Sequence, residues 1–264
     1  MQQPLFMEEV GERGVARLTL TRPEVHNAFN DQLIGELTQA LRGLESDPRV
    51  RVVVLAAEGK SFSSGADLNW MKSMVGYSEQ ENLEDSRALA GLMRTLNDLS
   101  KPTVALVQGS AFGGGVGLVA CCDIAIAVDS AKFALTEVKL GLIPSVISPY
   151  VVAAIGQRAA RRYFLTGEPF TAKQACALGL IDRVVAAENL ESSGAEVLEL
   201  LLKAGPEAQA AAKDLIFTVS GRPVDDALVE DTARRIARIR VGAEGQEGLT
   251  SFFEKRRPDW LADE

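Results

Sequence analysis

The chain has few cysteines and few basic residues for its length, and both shortages argue against whole classes of protein. Its 264 residues include only Cys121, Cys122 and Cys176, an odd number without CxxC spacing. We predict small core side chains rather than disulfides or metal ligands, and a reducing cytoplasm as the location. Lysine and arginine number 28 against 36 acidic residues, so the net charge is −8 and the pI is about 5.0. This charge disfavours a nucleic-acid partner, which needs a basic surface.

Membrane and export signals are also lacking. Residues 104–122 are almost entirely apolar, but the glycines Gly113–Gly115 would interrupt any helix there. A buried strand, a tight turn and a buried helix therefore fit this segment better than a membrane span. The segment Met1–Val10 carries Glu8 and Glu9 and lacks the basic-then-apolar layout of a signal peptide. We expect no membrane partner.

What the chain does contain is the composition of a globular protein, with 47% hydrophobic and 24% charged residues. Strand and helix patterns alternate along its first half, and the repetition implies an α/β fold with right-handed crossovers. The predicted strands are Val15–Thr21, Val50–Ala56, Thr103–Val107 and Ile124–Val128. The predicted helices are one capped by Asn30 or Asp31, one over Gln80–Leu99 and one opened by Gly117–Cys122.

Strand signals vanish from about Thr171 onward, and only helices are predicted there. They cover Ala172–Leu178, Gly194–Ala204, Pro206–Phe217 and Val224–Val241. We therefore divide the chain into an α/β core at 1–200 and a helical subdomain at 201–264. A tail of this size holds too little core of its own, so we expect it to pack on the core or on a neighbouring subunit.

Two turns could present backbone N–H groups to a substrate. The glycine-rich segment Gly109–Gly117 follows a strand and opens a helix, but it lacks the Lys-Ser/Thr of a P-loop and the spacing of GxGxxG. The turn Ser61–Leu68 also follows a buried strand, and the ends of parallel strands share one sheet edge. Facing N–H donors would make an oxyanion hole. Close strand–helix packing is the competing interpretation of the glycines.

Glu137 is a candidate general acid or base. It lies in the mainly apolar segment Ala134–Gly141, where burial would raise the pKa of a carboxyl group. The residue type alone carries little weight, because the chain holds 36 acidic residues.

The order and spacing of five motifs resemble the crotonase (enoyl-CoA hydratase/isomerase) family. The motifs are Ser64–Asp67, Phe112–Gly115, Cys122–Ile124, Thr136–Glu137 and Gly141–Pro144. The resemblance runs from Arg22–Ala28 to Phe253–Pro258, nearly the whole chain. It implies a crotonase-like spiral of ββα units with a C-terminal helical subdomain. Residues Asp67–Met71 and Thr136–Ser148 look most like bacterial methylglutaconyl-CoA hydratases.

The resemblance also implies roles for individual residues. The N–H groups of Ala66 and Gly114 would hold the thioester oxygen of an acyl-CoA as it gains enolate charge, and Glu137 would be the catalytic carboxylate. Asp67 would brace its turn, and the single histidine, His26, would line a pocket rather than join a triad. The residues implied to bind substrate and coenzyme A are Val25, His26, Ser64, Gly65, Asp67, Leu68, Gly113, Gly117 and Leu142.

Three departures from the family pattern keep alternatives open. Gly117 stands where two-carboxylate hydratases have a second Glu, Pro144–Pro149 replaces a glycine-rich stretch, and Glu24 replaces a frequent basic residue. Arg22 could meet the coenzyme phosphates instead. We predict a hydratase of a methylglutaconyl-type enoyl-CoA; the alternatives are a Δ3,Δ2-enoyl-CoA isomerase using Glu137 alone and a non-catalytic CoA-binding protein. We expect a homotrimer or homohexamer, no metal, and no cofactor beyond the coenzyme A of the substrate.

Overall fold

Two β-sheets form the framework of the protein in the computed structural model, which describes residues 4–261. The strands are β1 (Phe6–Val10), β2 (Val15–Leu20), β3 (Val52–Ala57), β4 (Ser61–Ser63), β5 (Thr103–Val107), β6 (Ser110–Phe112), β7 (Ile124–Val128), β8 (Lys132–Ala134), β9 (Phe170–Thr171) and β10 (Arg183–Val185). The larger sheet has the order β1-β2-β3-β5-β7-β10, and the smaller has the order β4-β6-β8-β9.

Ten α-helices surround these sheets in the part of the chain that the structure describes. They are α1 (Asp31–Ser46), α2 (Leu68–Met74), α3 (Glu79–Asn97), α4 (Gly114–Cys121), α5 (Ser148–Thr166), α6 (Ala172–Leu178), α7 (Leu190–Leu202), α8 (Pro206–Val219), α9 (Asp226–Val241) and α10 (Ala243–Glu254). The chain repeatedly sends one strand to the larger sheet and a shorter strand to the smaller sheet, and then forms helix. Three such units, beginning at β3, β5 and β7, make a spiral.

The central strands are apolar because both faces of the larger sheet are covered. Every residue of β5 is buried, and β5 pairs in parallel with β3 and β7. Such burial explains the continuous Val/Ile/Leu runs of the sequence. The helix predicted from its cap also forms: the Asn30 side chain accepts a hydrogen bond of 2.9 Å from the Leu33 N–H.

The apolar segment 104–122 is divided as predicted, into β5, β6 and α4. Its helix begins at Gly114, however, three residues before the predicted start at Gly117, because a helix N-terminus tolerates glycines that would weaken a helix interior. No helix within residues 4–261 combines the length and apolarity needed to cross a bilayer.

The prediction that strands cease at about Thr171 is wrong. Strand β9 reaches Thr171 and pairs with β8, while β10 pairs in parallel with β7 at the edge of the larger sheet. These strands have two and three residues, too short to show alternation. Strand β1, which the sequence patterns did not predict, is an exposed edge strand with Glu8 and Glu9 in its middle.

An ion pair links the helices beyond residue 200 to the core. Lys213 on α8 lies 2.8 Å from the Asp123 carboxylate, which also accepts hydrogen bonds from the N–H and hydroxyl of Thr103. Many large apolar side chains of this region are exposed. They are Ile216, Phe217, Val219, Val224, Val229, Ile236, Val241, Leu249, Phe252 and Phe253. The boundary at residue 200 stays a prediction.

The cysteines behave as small core side chains. All three are free thiols; Cys121 is buried, with its Sγ 3.9 Å from Met93 Sδ. Burial raises the pKa of Cys122 to about 12, so its thiol stays protonated and unreactive near neutral pH.

Candidate active site

Two turns from neighbouring units of the spiral meet at the carboxyl ends of their strands, as the sequence predicts. Gly65 has a φ of +89° and lies against the second turn, so closely that a Cβ on it would be 3.1 Å from the Phe112 carbonyl oxygen. Gly113 has a φ of +49° and ends that second turn before α4 begins. Glycine is required at both positions because other residues rarely adopt a positive φ.

Phe29 holds the two turns together. Its N–H donates to the Gly65 carbonyl and its own carbonyl accepts from the Asp67 N–H, both at 2.7 Å. Its ring packs under the start of α4, where a Cβ on Gly114 would lie 2.5 Å from the ring carbon Cε2. Phe29 therefore contacts the turn before α2 through its backbone and the first residue of α4 through its ring.

Two backbone N–H groups, those of Ala66 and Gly114, are left without a hydrogen-bond acceptor among residues 4–261. The first residue of an α-helix has no intrahelical acceptor, which explains the free donor of Gly114. Both residues line one cavity of about 410 Å³. Their free N–H groups at this cavity are the arrangement of an oxyanion hole.

Glu137 lines the same cavity, at the start of a 3₁₀ turn after β8. Its Oε1 packs on the second glycine turn, 3.0 Å from where a Cβ on Gly113 would lie. Its Oε2 is buried without a hydrogen-bond partner in the described part of the chain. Burial raises the pKa of Glu137, and a hydrogen bond from its own backbone N–H opposes this shift only in part. A carboxyl group in this state can donate and accept a proton.

Asp67 braces the first turn instead of facing the cavity. It caps α2 by accepting from the Asn69 N–H at 2.8 Å, and it forms an ion pair of 3.1 Å with Arg22. Burial alone would raise the pKa of Asp67, but these hydrogen bonds outweigh it and hold the pKa below its usual value. Asp67 is thus held as the ionised partner of Arg22.

The expectation that Arg22 could meet the coenzyme phosphates is not supported by its position. Its side chain is only 13% exposed, and it donates hydrogen bonds to the Ala28 carbonyl and to Asp67. Releasing it would leave the Asp67 carboxylate buried and unpaired, which is costly.

Val25, His26 and Ser64 form one connected strip beside the oxyanion turn. The Ser64 N–H donates to the His26 carbonyl at 2.9 Å, and the Ser64 hydroxyl lies 3.4 Å from the Val25 carbonyl. His26 adopts a left-handed conformation, and its Nδ1 lies 3.1 Å from the Ser61 hydroxyl. Of the strip, only Ser64 lines the cavity.

The rest of the cavity wall is mainly apolar. Leu68 and Leu142 both line it, and both are largely exposed, at 75% and 54%. Three further lining residues come from α2: Trp70, Met71 and Met74. An acyl chain entering here would cover side chains that water now contacts.

Gly117 was predicted to line the pocket, but it lies behind the residues that form the cavity wall. It is buried on α4 and is not among the lining residues. A Cβ on Gly117 would lie 2.3 Å from Ile147 Cγ2 and 3.2 Å from Met93 Sδ. The space that a second Glu would need is filled by these two side chains.

Four lining residues on α3 were not predicted from the sequence: Asn82, Asp85, Ser86 and Leu89. Their spacing of three and four residues places them on one helix face. That spacing was visible in the sequence, but nothing local indicated that this face lines the same cavity as Glu137, more than 45 residues further along the chain.

The assembled geometry defines a class of enzyme. Paired N–H donors stabilise oxygen that gains negative charge, and a neighbouring protonatable carboxyl group moves a proton at the adjacent carbon. This is the requirement for chemistry through the enolate of a carbonyl compound such as a thioester.

Comparison with known proteins identifies the family. The Enoyl-CoA hydratase/isomerase family matches residues 10–263. A protein of Thermus thermophilus with the provisional name enoyl-CoA hydratase is 35% identical, over 96% of this chain and 99% of its own. The crystal structure of an enoyl-CoA hydratase from Shewanella pealeana shares 45% identity with a TM-score of 0.95, and covers 98% of this chain and 97% of its own.

A provisionally described enoyl-CoA hydratase/isomerase (crotonase) from Legionella pneumophila shares 47% identity with a TM-score of 0.92, over 97% of this chain and 98% of its own. The chain belongs to the enoyl-CoA hydratase/isomerase family. The crotonase-like spiral predicted from the motifs is confirmed.

Proposed function

We propose that this protein adds water across the 2,3 double bond of an enoyl-CoA thioester. The observation that carries the proposal is the cavity in which the free N–H groups of Ala66 and Gly114 accompany the unpartnered Oε2 of Glu137. The N–H groups would stabilise the enolate oxygen, and Glu137 in its acid form would protonate the α-carbon. Membership of the family supports an acyl-CoA substrate.

The acyl group in this proposal is branched and of the methylglutaconyl type. Its support is the resemblance of residues 67–71 and 136–148 to methylglutaconyl-CoA hydratases. No Lys, Arg or His is found among the described residues that line the cavity, so a distal carboxylate has to stay solvated. A panel of 2-enoyl-CoA thioesters with and without a distal carboxylate, with product identification, tests this choice. Faster turnover of the uncharged members would overturn it.

The isomerase alternative is favoured by one observation: α4 carries glycine, not glutamate, at position 117. A single carboxylate is sufficient to move a proton between the α- and γ-carbons of a 3-enoyl-CoA. Including 3-enoyl-CoA thioesters in the same panel separates the two reactions, since hydration yields an alcohol and isomerisation only moves the double bond. The free donors and Glu137 argue against a non-catalytic CoA-binding protein.

Coenzyme A would bind along the strip of Val25, His26 and Ser64, mostly through backbone atoms, with no further cofactor and no metal. Equilibrium binding of free coenzyme A, compared with a variant such as Ser64→Trp that blocks the strip, tests this placement. Unchanged affinity in the blocked variant would contradict it.

The proposal includes assembly and location. Helices α8–α10 would pair with other copies of the chain in a homotrimer or homohexamer, because many of their large apolar side chains are exposed in the described chain. We expect the enzyme in the cytoplasm and expect no nucleic-acid partner at a net charge of −8. Sedimentation at micromolar concentration tests the assembly, and a folded monomer would contradict it.

A further inference from the structure

A second carboxylate lines the same cavity as Glu137. Asp85 lies on α3 and lines that cavity together with Asn82 and Ser86. Its carboxylate is half-buried and has no hydrogen bond or ion pair within residues 4–261. An acidic side chain that faces a cavity without a partner is available to a bound molecule.

Asp85 lies on the same helix, α3, as a residue that fills the space needed by a second Glu on α4. Met93, eight residues after Asp85 on α3, lies 3.2 Å from where a Cβ on Gly117 would be, and Leu89, midway along α3 between Asp85 and Met93, lines the cavity. Positions 85, 89 and 93 share one helix face because they are four residues apart. The face of α3 whose Met93 fills the space of the usual second Glu thus also carries the carboxylate of Asp85, about two helical turns from Met93.

The surroundings of Asp85 make it a stronger base than an exposed aspartate. Burial raises the pKa of Asp85, and the negative charge of Asp31 at the start of α1 raises it further. Of the titratable groups that face the cavity within the described residues, the other is Glu137, and no basic side chain lines it. Nothing nearby therefore reduces the affinity of Asp85 for a proton.

We propose that Asp85 is the second catalytic carboxylate of the hydration reaction. The inference rests on the proposed function. Asp85 accepts a proton from water while the water oxygen bonds to the β-carbon, and the electrons of the double bond pass to the thioester oxygen held by the Ala66 and Gly114 N–H groups. The enolate then returns its electrons to the α-carbon, which takes the proton of Glu137. Asp85 ends protonated and Glu137 ionised, and transfer of one proton through solvent resets both groups.

The experiment compares hydration, the proposed reaction, with isomerisation, the alternative reaction, in the same variants. Hydration of hex-2-enoyl-CoA requires both carboxylates, whereas isomerisation of hex-3-enoyl-CoA requires only Glu137. We expect Asp85→Asn to reduce hydration by at least ~10²-fold, the lower range for general acid–base catalysis, and isomerisation by less than about threefold. Asp85→Glu should retain more hydration activity than Asp85→Asn. The matched control is Glu84→Gln, which changes the same charge on the exposed side of α3.

The outcomes decide between explanations. Unchanged hydration in Asp85→Asn overturns the inference, and so does an equal loss of hydration and isomerisation, which would mean that Asp85 only shapes the cavity. Thermal melting and CoA affinity of each variant show whether the fold and the binding site persist. Glu137→Gln is expected to lose both reactions; if it keeps hydration, the proposed function itself fails, whatever Asp85→Asn shows.

Discussion

The first 202 residues and the C-terminal helices differ in how many of their apolar side chains are buried. Most strands and helices up to Leu202 contribute to one buried core, although Leu68 and Leu142 at the cavity are exposed. From there to residue 261, Leu228 is the one buried apolar side chain. Phe252 and Phe253 are each 76% exposed. The comparison teaches that one chain is sufficient to bring Ala66, Gly114 and Glu137 to one cavity, while its last helices leave the exposed apolar side chains on which the proposed assembly rests.

The largest effect is expected from Glu137→Gln, which changes the cavity and should not change the assembly. Glu137 is the proposed acid for the α-carbon, so turnover should fall at least ~10²-fold with CoA affinity retained. Hydration and solvent-deuterium exchange at the α-carbon should fall together. Exchange at the wild-type rate would mean that another base is at work.

Gly114→Pro should rank second, because it removes one oxyanion donor. Loss of such a donor costs about 10²- to 10³-fold in turnover. The matched control is Gly114→Ala, which introduces the same Cβ against the Phe29 ring but keeps the N–H. We expect the proline variant to be slower than the alanine variant at equal melting temperature. Equal rates in both would contradict the role of the N–H.

A substitution in the C-terminal helices should change assembly instead of chemistry. Phe252→Asp with Phe253→Asp removes two exposed aromatic side chains, each of which would contribute about 1.5–3 kcal/mol when buried against a neighbour. Sedimentation should then show a smaller species. A matched control, Lys255→Asp, changes charge next to the same helix. Wild-type sedimentation of the double variant would show that this surface does not assemble.

Gly117→Glu tests whether the packing behind the cavity wall can accommodate a glutamate side chain at position 117. The added Cβ would collide with Ile147, so we expect a loss of roughly 1–3 kcal/mol of stability and no gain in hydration. Combining it with Ile147→Ala should recover part of the melting temperature. A stable single variant with faster hydration would show that the wall adapts more easily than its packing indicates.

The smallest effect concerns pH. Because burial raises the pKa of Glu137, the folded state binds this proton more tightly than the unfolded state. The contribution of Glu137 to stability is therefore complete below the ordinary glutamate pKa and is lost as pH rises through the raised value. The melting temperature of Glu137→Gln should equal that of the wild type near pH 4 and exceed it near pH 7. A difference that does not change with pH would contradict the raised pKa.

The sequence predicted those elements whose signals are local. Apolar β5 and β7 are too long and too continuous to be exposed loops, and Asn30 indicates the start of α1. Strand β10 has three residues and pairs at a sheet edge, so its pattern is too short to detect. Local pattern thus predicted the alternating strands and helices of an α/β fold but not its last strands, and the spiral was implied by the resemblance to the family.

The candidate site was predictable where a motif carries it and not where packing decides. Ala66, Gly114 and Glu137, to which the family motifs point, line one cavity, and their catalytic roles stay predictions. The motifs also placed Gly117 there, but the contact of Ile147 with α4 depends on a loop 30 residues away. Asp85 was missed for the same reason, because its helix has no motif and its position follows from tertiary packing alone.

Phe29 has an evolutionary consequence. Its backbone hydrogen-bonds to the turn that carries the Ala66 donor, and its ring packs against Gly114, which carries the other donor. The positions of the two N–H donors therefore depend on the same residue. A smaller side chain at position 29 would loosen the packing of both turns. A larger residue at position 114 would push the Phe29 ring against the first turn. Among relatives, positions 29, 65 and 114 should change in concert or not at all.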